Sequence, residues 1–116
     1  MNNKIFNKVV GDKGEGLAIS YLKKQKYKIL TTNFKNKIGE IDIIAKDKGI
    51  LVFIEVKYRT NDYFGLPREA VTDQKQRKIK FVATSYITKN NLFDCPCRFD
   101  VVEILDNKIN LIKDCF

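Results

Sequence analysis

The sequence contains no histidine, and this absence excludes several kinds of enzyme. Ser-His-Asp and Cys-His catalysis, histidine-ligated nuclease metals and most catalytic zinc sites all need an imidazole. Cysteine is scarce too, since Cys95, Cys97 and Cys115 are too few and too poorly spaced for a zinc site. An odd cysteine count without an export signal is typical of reduced thiols, and we expect these three to serve packing. Any catalysis must therefore use carboxylates, lysines, hydroxyls or thiols.

Long apolar runs are also missing. None approaches the length needed to cross a membrane, and residues 1–16 lack the apolar block of a signal peptide. We therefore expect a cytoplasmic protein with no membrane partner. With 116 residues, 44% of them hydrophobic, the chain is long enough for one core but not for two. Residues 1–116 are predicted to form a single domain.

Acidic residues are outnumbered by basic ones, 14 against 22, which gives a formal net charge of +8. Such an excess favours polyanionic partners, chiefly nucleic acid. The alternative explanation is a lysine-rich proteome. The local distribution favours the first, because acidic side chains gather around one stretch of the chain and basic ones surround it.

That stretch is residues 39–59, GEIDIIAKDKGILVFIEVKYR. Ile41 to Ala45 and Leu51 to Val56 are rich in isoleucine and valine, and the charged, glycine-ended segment 46–49 between them is typical of a hairpin loop. The second run is apolar on both faces. It is therefore predicted to be a central strand of a sheet that is covered on both sides.

Side-chain alternation turns this hairpin into a candidate site. If Ala45 pairs with Ile50, even-numbered residues of the first strand share a face with odd-numbered residues of the second. That face carries Glu40, Asp42, Leu51, Phe53, Glu55 and Lys57. The opposite face is aliphatic and carries Ile41, Ile43, Val52, Ile54 and Val56. Asp42, Glu55 and Lys57 are thus expected to be neighbours at the end of the sheet away from the loop.

Carboxylates that close repel each other unless a cation compensates. One or two carboxylates with water and substrate phosphate are a usual magnesium site, and a lysine beside them can orient the attacking water. Asp42 and Glu55 are accordingly candidate metal ligands, with Lys57 as the candidate catalytic lysine. Glu40 is a secondary candidate that could equally cap its strand. The alternative for the whole group is a solvated ion pair at an exposed strand end.

A helix is predicted from Asn7 to Gln25, with Ala18, Ile19 and Leu22 as its apolar stripe. Glu15 lies on the same face. It is either a further metal or water ligand or, if the helix begins near Asp12, a first-turn glutamate favoured by the helix dipole. The pattern leaves both alternatives open.

A second helix is predicted from an N-cap at Thr72 to Lys89. Its first half is basic. Lys75, Arg77 and Lys78, with Arg59 after the central strand, are candidates for gripping a nucleic-acid backbone, the alternative being an ordinary solvated face. Further strands are predicted at 27–33, 98–105 and 109–112, the last two as a hairpin, with Asp100 in a structural role.

Several of these motifs together resemble the YraN-like family of bacterial proteins. They are Gly11-x-x-x-Glu15, Ala18, Tyr21-Leu22, Asn33-Phe34, Gly39-Glu40-Ile41-Asp42, Phe53-Ile54-Glu55-Val56-Lys57 with Arg59, and Arg98-Phe99-Asp100-Val101-Val102. The family is similar to the restriction-endonuclease-like PD-(D/E)xK proteins and to archaeal Holliday-junction resolvases. Ile41 stands where that pattern often has proline.

The resemblance implies an α/β fold, with a mixed central sheet of about five strands flanked by helices in the order αβββαββ. It also implies that Glu15, Asp42, Glu55 and Lys57 form the catalytic set, with Asp42, Glu55 and Glu15 around Mg²⁺ or Mn²⁺. The expected function is metal-dependent endonuclease cleavage of DNA that is branched or otherwise structured. The alternative is a non-catalytic nucleic-acid-binding protein that retains the fold. A homodimer is a further expectation, suggested by the small size and by the dimers common among resolvase-like proteins.

Overall fold

A computed structural model describes residues 3–59, 71–105 and 108–116, and within these ranges the side chains of all residues from 14 onward except Arg59. Helices and strands follow the predicted order. They are α1 (Asn3–Lys24), β1 (Lys28–Lys35), β2 (Glu40–Asp47), β3 (Ile50–Arg59), α2 (Asp73–Lys89), β4 (Cys97–Leu105) and β5 (Lys108–Ile112). Neither α1 nor α2 is both long and apolar enough to cross a lipid bilayer.

The five strands form one sheet in the order β1-β2-β3-β4-β5, with β3 at the centre. β1, β2 and β3 pair antiparallel, β3 and β4 pair parallel, and β4 and β5 pair antiparallel. A parallel pair needs a crossover, and α2 lies between β3 and β4 in the chain. The predicted mixed sheet of restriction-endonuclease-like type is confirmed. The turn predicted at 106–107 lies outside the described residues.

Both faces of the sheet are covered, as predicted from the apolar character of β3. Ala18 and Leu22 of α1 pack on one face, against Ile43, Ala45, Val52, Ile54, Val102 and Ile104. Ile79, Val82 and Ala83 of α2 pack on the other, against Ile41, Ile44, Leu51, Phe53, Val71 and Val101. α1 thus buries the apolar stripe predicted for it, with Ile19 partly buried at its edge.

The two helix starts differ in how well the sequence predicted them. Thr72 is the N-cap of α2, and its hydroxyl accepts a hydrogen bond from the Lys75 amide at 3.2 Å, as predicted. α1 begins at Asn3, and its first turn contains no acidic residue. Glu15 therefore lies in the interior of the helix, and its interpretation as a first-turn glutamate is wrong.

The central hairpin is tighter than predicted. Asp47 pairs with Ile50 and Ala45 with Val52, so the loop is Lys48 and Gly49 alone, with φ of +51° and +85°. Two left-handed residues are what a type I′ hairpin turn requires. The predicted four-residue loop and Ala45–Ile50 pair are wrong by two residues. Because the shift is even, the predicted sharing of faces between the two strands survives it.

Ile41 is the exception to that alternation. It packs in the cluster beneath α2, whereas Ile43 packs in the cluster beneath α1. The pairing of β2 with β3 ends at Ile43–Ile54, and nearer its start β2 follows β1, in which Asn33 has a left-handed backbone with φ of +54°. The prediction that Ile41 shares the face of Ile43 is therefore wrong.

A buried polar network ties the hairpin end of the sheet together. Asp100 is fully buried and accepts hydrogen bonds from Arg98 Nε at 2.8 Å, Arg98 Nη2 at 2.9 Å and the Tyr27 hydroxyl at 3.1 Å. Arg98 Nη2 also donates to Asp47 Oδ2 at 3.1 Å. These contacts agree with the structural role predicted for Asp100.

None of the three cysteines, all within the described residues, forms a disulfide. Cys95 and Cys115 pack partly buried against the cluster beneath α2, in the role predicted for them. Cys97 is exposed, so the packing prediction is wrong for this residue.

Candidate active site

Asp42 and Glu55 lie on neighbouring strands at the end of the sheet away from the hairpin loop. The Asp42 carboxylate accepts a hydrogen bond from the backbone amide of Val56 at 2.8 Å. This amide follows the last recorded β2–β3 pair, Ile43–Ile54, so the carboxylate provides it with an acceptor where that pairing stops. The contact fixes Asp42 beside the Glu-x-Lys segment of β3.

Two lysines converge on Glu55. Its carboxylate is 9% exposed, and Oε1 lies 3.0 Å from Lys75 Nζ and 3.6 Å from Lys57 Nζ. Lys57 comes from the same strand, whereas Lys75 comes from the first turn of α2. Lys75 was predicted to contact nucleic acid; the structure brings it into the candidate site, where it neutralises a buried carboxylate.

Burial and the neighbouring carboxylates change the ionisation of Asp42. Burial, and then the charge of Glu55, raise the pKa of Asp42 to about 7, while the hydrogen bond from Val56 acts in the opposite direction. The charges of Glu40 and Glu15 add smaller upward contributions to this pKa. A cation at this position would remove the repulsion.

The two lysines are shifted in opposite directions. Burial, and then a hydrogen bond with Lys75, lower the pKa of Lys57. Burial also lowers the pKa of Lys75, but its hydrogen bond with Lys57 and the charge of Glu55 outweigh that effect and raise it. Lys57 is therefore the amine that more readily loses its proton, and Lys75 the one that stays charged against Glu55.

Glu15 reaches this region from α1, and Asn33 holds it. Asn33 Nδ2 donates to Glu15 Oε1 at 2.9 Å. In β1 this asparagine lies between the pairs Thr32–Ile43 and Phe34–Ile41, hence opposite Asp42. A Cβ on Gly14 would lie 3.1 Å from Tyr58 Cδ2, a tight contact, so glycine before Glu15 lets α1 approach β3 without displacing Tyr58.

Asn33 is a site residue that the sequence analysis did not single out, since it stood there only at the end of the predicted strand 27–33 and in the motif Asn33-Phe34. Its left-handed φ of +54° inside a strand is a conformation that asparagine tolerates better than most residues. The hydrophobic periodicity of a sequence does not show which strand residue has a left-handed backbone. The signal became visible only once β1 was paired with β2.

The carboxylates of the candidate site could bind a divalent ion through two ligands, Asp42 and Glu55. Among the described residues, no three acidic, histidine or cysteine side chains converge closely enough to hold a metal as a group. Asp42 and Glu55 match the one or two carboxylates that magnesium takes alongside water and phosphate. Glu103 pairs in register with Lys57, and its buried Oε2 has no hydrogen-bond partner among the described residues. Such an atom is a natural contact for a water or an ion.

The remaining predicted nucleic-acid contacts are less fully described. Arg77 and Lys78 are exposed on α2, as a role in binding a backbone requires. Arg59 ends β3, and its side chain lies outside the described part of the structure. Glu40 is exposed at the start of β2 and pairs in register with Lys35.

By its fold the chain is a restriction-endonuclease-like α/β protein. Residues 14–104 match a family described as "Uncharacterised protein family UPF0102". A UPF0102 protein of Lachnoclostridium phytofermentans is 51% identical over 110 residues, covering 94% of this chain and 93% of the relative. One from Clostridioides difficile is 50% identical over 112 residues, covering 95% and 98%. The chain belongs to the UPF0102 family, the YraN-like family that its motifs resemble.

Proposed function

We propose that this protein is a metal-dependent DNA endonuclease that hydrolyses phosphodiester bonds in branched or otherwise structured DNA. The observation that carries the proposal is the Asp42–Glu55 pair, in which burial and then the charge of Glu55 raise the pKa of Asp42 to about 7. Keeping two carboxylates together at a sheet end is costly unless they hold a cation. The net charge of +8 supports a polyanionic substrate.

Asp42 and Glu55 would hold Mg²⁺ or Mn²⁺, with Glu15 contributing through a water. When bound, such an ion lowers the pKa of its water and stabilises negative charge on the phosphate. The hydrogen bond from Asn33 would keep Glu15 oriented toward the pair. Lys75 would limit the negative charge of Glu55, with which it is in contact at 3.0 Å.

Lys57 would orient the attacking water and receive or share its proton. Its lowered pKa favours that role, because a less basic amine loses its own proton more readily and is then free to accept one. Arg77 and Lys78, exposed on α2, would contact phosphates on either side of the scissile bond.

Cleavage of a labelled DNA panel tests this proposal. The panel contains a four-way junction, a flap, a single strand and a plain duplex, each with Mg²⁺ or Mn²⁺. Wild type is compared with Lys57→Ala and with Lys28→Ala, which removes the same charge from an exposed position in β1. Loss of general acid–base chemistry should slow cutting by roughly 100-fold or more in Lys57→Ala, with DNA binding retained. Lys28→Ala should cut like wild type.

Two results would contradict the proposal. Cutting that persists unchanged in Lys57→Ala would show that the activity does not come from this site. Binding without cutting across the panel would favour the alternative, a non-catalytic nucleic-acid-binding protein with the same fold. Loss of binding in Lys57→Ala but not in Lys28→Ala would point to damaged folding, which circular dichroism of the variant would detect.

A further inference from the structure

A groove lies between the turn at residues 36–39 and the outer face of α2. Its volume is about 460 Å³, within the range of small-molecule sites. Ile38 and Phe81 provide its apolar surface. Thr84, Ser85, Thr88 and Lys89 line the remainder, and the part of the groove that is described contains no carboxylate.

The turn that forms one wall is held in place by its own hydrogen bonds. Asn36 Oδ1 accepts from the Ile38 amide at 2.8 Å and from the Gly39 amide at 3.2 Å. The Asn36 amide donates to the Gly39 carbonyl at 3.0 Å. A Cβ on Gly39 would lie 3.5 Å from Val82 Cγ2, so the turn rests on α2. The groove is thus formed before any ligand arrives.

Phe81 is the unusual member of this groove. It is 64% exposed on a helix whose outer surface is otherwise polar, and Ile38 opposite it is 44% exposed. α2 carries a single acidic residue, Asp73 in its first turn, against five basic ones. An exposed ring on a basic helix, with Lys89 lining the same groove, is suited to stack a nucleobase while the cations contact its phosphates.

The groove and the candidate active site both involve α2. Lys75 of α2 contacts Glu55, and Phe81 follows six residues later on the same helix. Six residues advance about 9 Å along an α-helix, which is roughly the length of three stacked nucleotides. This axial advance is compatible with one DNA strand contacting both Lys75 and Phe81 of α2.

We infer that this groove binds an unpaired nucleotide of the DNA substrate, with its base stacked on Phe81 and its backbone along the basic side chains of α2. A paired base cannot take this position, since its faces are covered by its neighbours in the duplex. The site therefore selects DNA with an unpaired segment beside the scissile bond. This inference rests on the proposed function, because it takes DNA as the partner.

Binding measured without metal tests the groove separately from the chemistry. Fluorescence anisotropy in EDTA would compare a labelled oligothymidylate with a blunt duplex. The variants are Phe81→Ala, Phe81→Trp, and Phe93→Ala, which removes a phenylalanine that is 67% exposed and does not line the groove. Phe81→Ala should bind the single strand about tenfold more weakly, as expected for losing one base stack. Phe81→Trp and Phe93→Ala should bind like wild type, and duplex affinity should not change.

A base-stacking signal provides a second measurement. The fluorescence of 2-aminopurine in the single strand should be quenched by wild type and by Phe81→Trp, and much less by Phe81→Ala. Equal affinities of Phe81→Ala and wild type, or equal weakening in Phe81→Ala and Phe93→Ala, would overturn the inference. So would equal weakening for the single strand and the duplex, or no binding of the single strand by wild type.

The other occupant to consider is a second copy of the chain. Sedimentation of wild type and Phe81→Ala would detect it, since a dimer that Phe81→Ala converts to a monomer would make the groove a protein interface and overturn the inference. The outcomes also separate the two proposals. Single-strand binding through Phe81 without cleavage would support the groove and contradict the nuclease function. Cleavage that is insensitive to Phe81→Ala would support the nuclease function and contradict the groove.

Discussion

Replacing Asp42 by asparagine should stabilise the folded protein at and above neutral pH. The pKa of Asp42 is raised to about 7 from its ordinary value of 3.8, first by burial and then by the charge of Glu55. Between these two values the folded state holds a proton that the unfolded state releases. This group therefore lowers the stability of the wild-type protein as pH rises, and the loss is complete above about pH 7. Asparagine carries no charge, yet its amide oxygen can still accept from the Val56 amide.

The size of the effect follows from the two pKa values. Their difference corresponds to a ceiling of ~4 kcal/mol in the free energy of unfolding. Asp42 retains some contact with solvent, which screens the repulsion, so a gain of about 1–2 kcal/mol is the expected result. For a chain of this length, each kcal/mol shifts the melting temperature by about 4 °C.

Urea unfolding of wild type and Asp42→Asn in EDTA, at pH 5 and at pH 8, measures this difference. The variant should be the more stable protein at pH 8, and the gap should shrink at pH 5. A variant less stable than wild type at pH 8, or a gap independent of pH, would refute the reasoning. Adding Mg²⁺ at pH 8 should raise the melting temperature of wild type but not that of the variant, because only wild type keeps both proposed ligands.

Two further predictions concern the fold. Arg98→Ala should destabilise the protein by ~3–5 kcal/mol, because it leaves the fully buried Asp100 without its charged partner. Its control is Lys113→Ala, which removes a 56%-exposed lysine at 3.8 Å from Asp47 and should change stability by less than about 1 kcal/mol. Leu22→Ala should cost ~2–5 kcal/mol, because Leu22 is fully buried between α1 and the sheet. Leu17→Ala, at a 37%-exposed position of the same helix, is its control. Urea unfolding checks all four variants, and equal effects within either pair would contradict the burial argument.

The hairpin shows why alternation is easier to predict than register. Moving the loop from four residues to two changed every β2–β3 partner but left Asp42 and Glu55 as neighbours, since strand side chains alternate with a period of two. Lys46 and Asp47 looked like loop residues because they are charged. Asp47 nevertheless pairs with Ile50 inside the ladder, and Arg98, 51 residues later, donates to its carboxylate. No local pattern contains that contact.

Lys75 illustrates the same limit at the candidate site. The sequence shows a basic first half of α2, and any of its cations could contact a phosphate. Only the packing of α2 on the sheet selects Lys75 as the one in contact with Glu55, at 3.0 Å. The opposite pKa shifts of Lys57 and Lys75 then follow from burial and from their shared hydrogen bond, which arise when the layers meet.

The sequence by itself determined the order of helices and strands, the central strand covered on both faces, the pairing of Asp42 with the Glu-x-Lys segment, and the family. These features depend on local periodicity and on motifs that survive small shifts in register. Tertiary structure alone decided the two-residue hairpin turn, the face of Ile41, the clamp of Asn33 on Glu15 and the groove beside Phe81. Each of these depends on which distant segments come into contact, and that is set by the packing of both helices on one sheet.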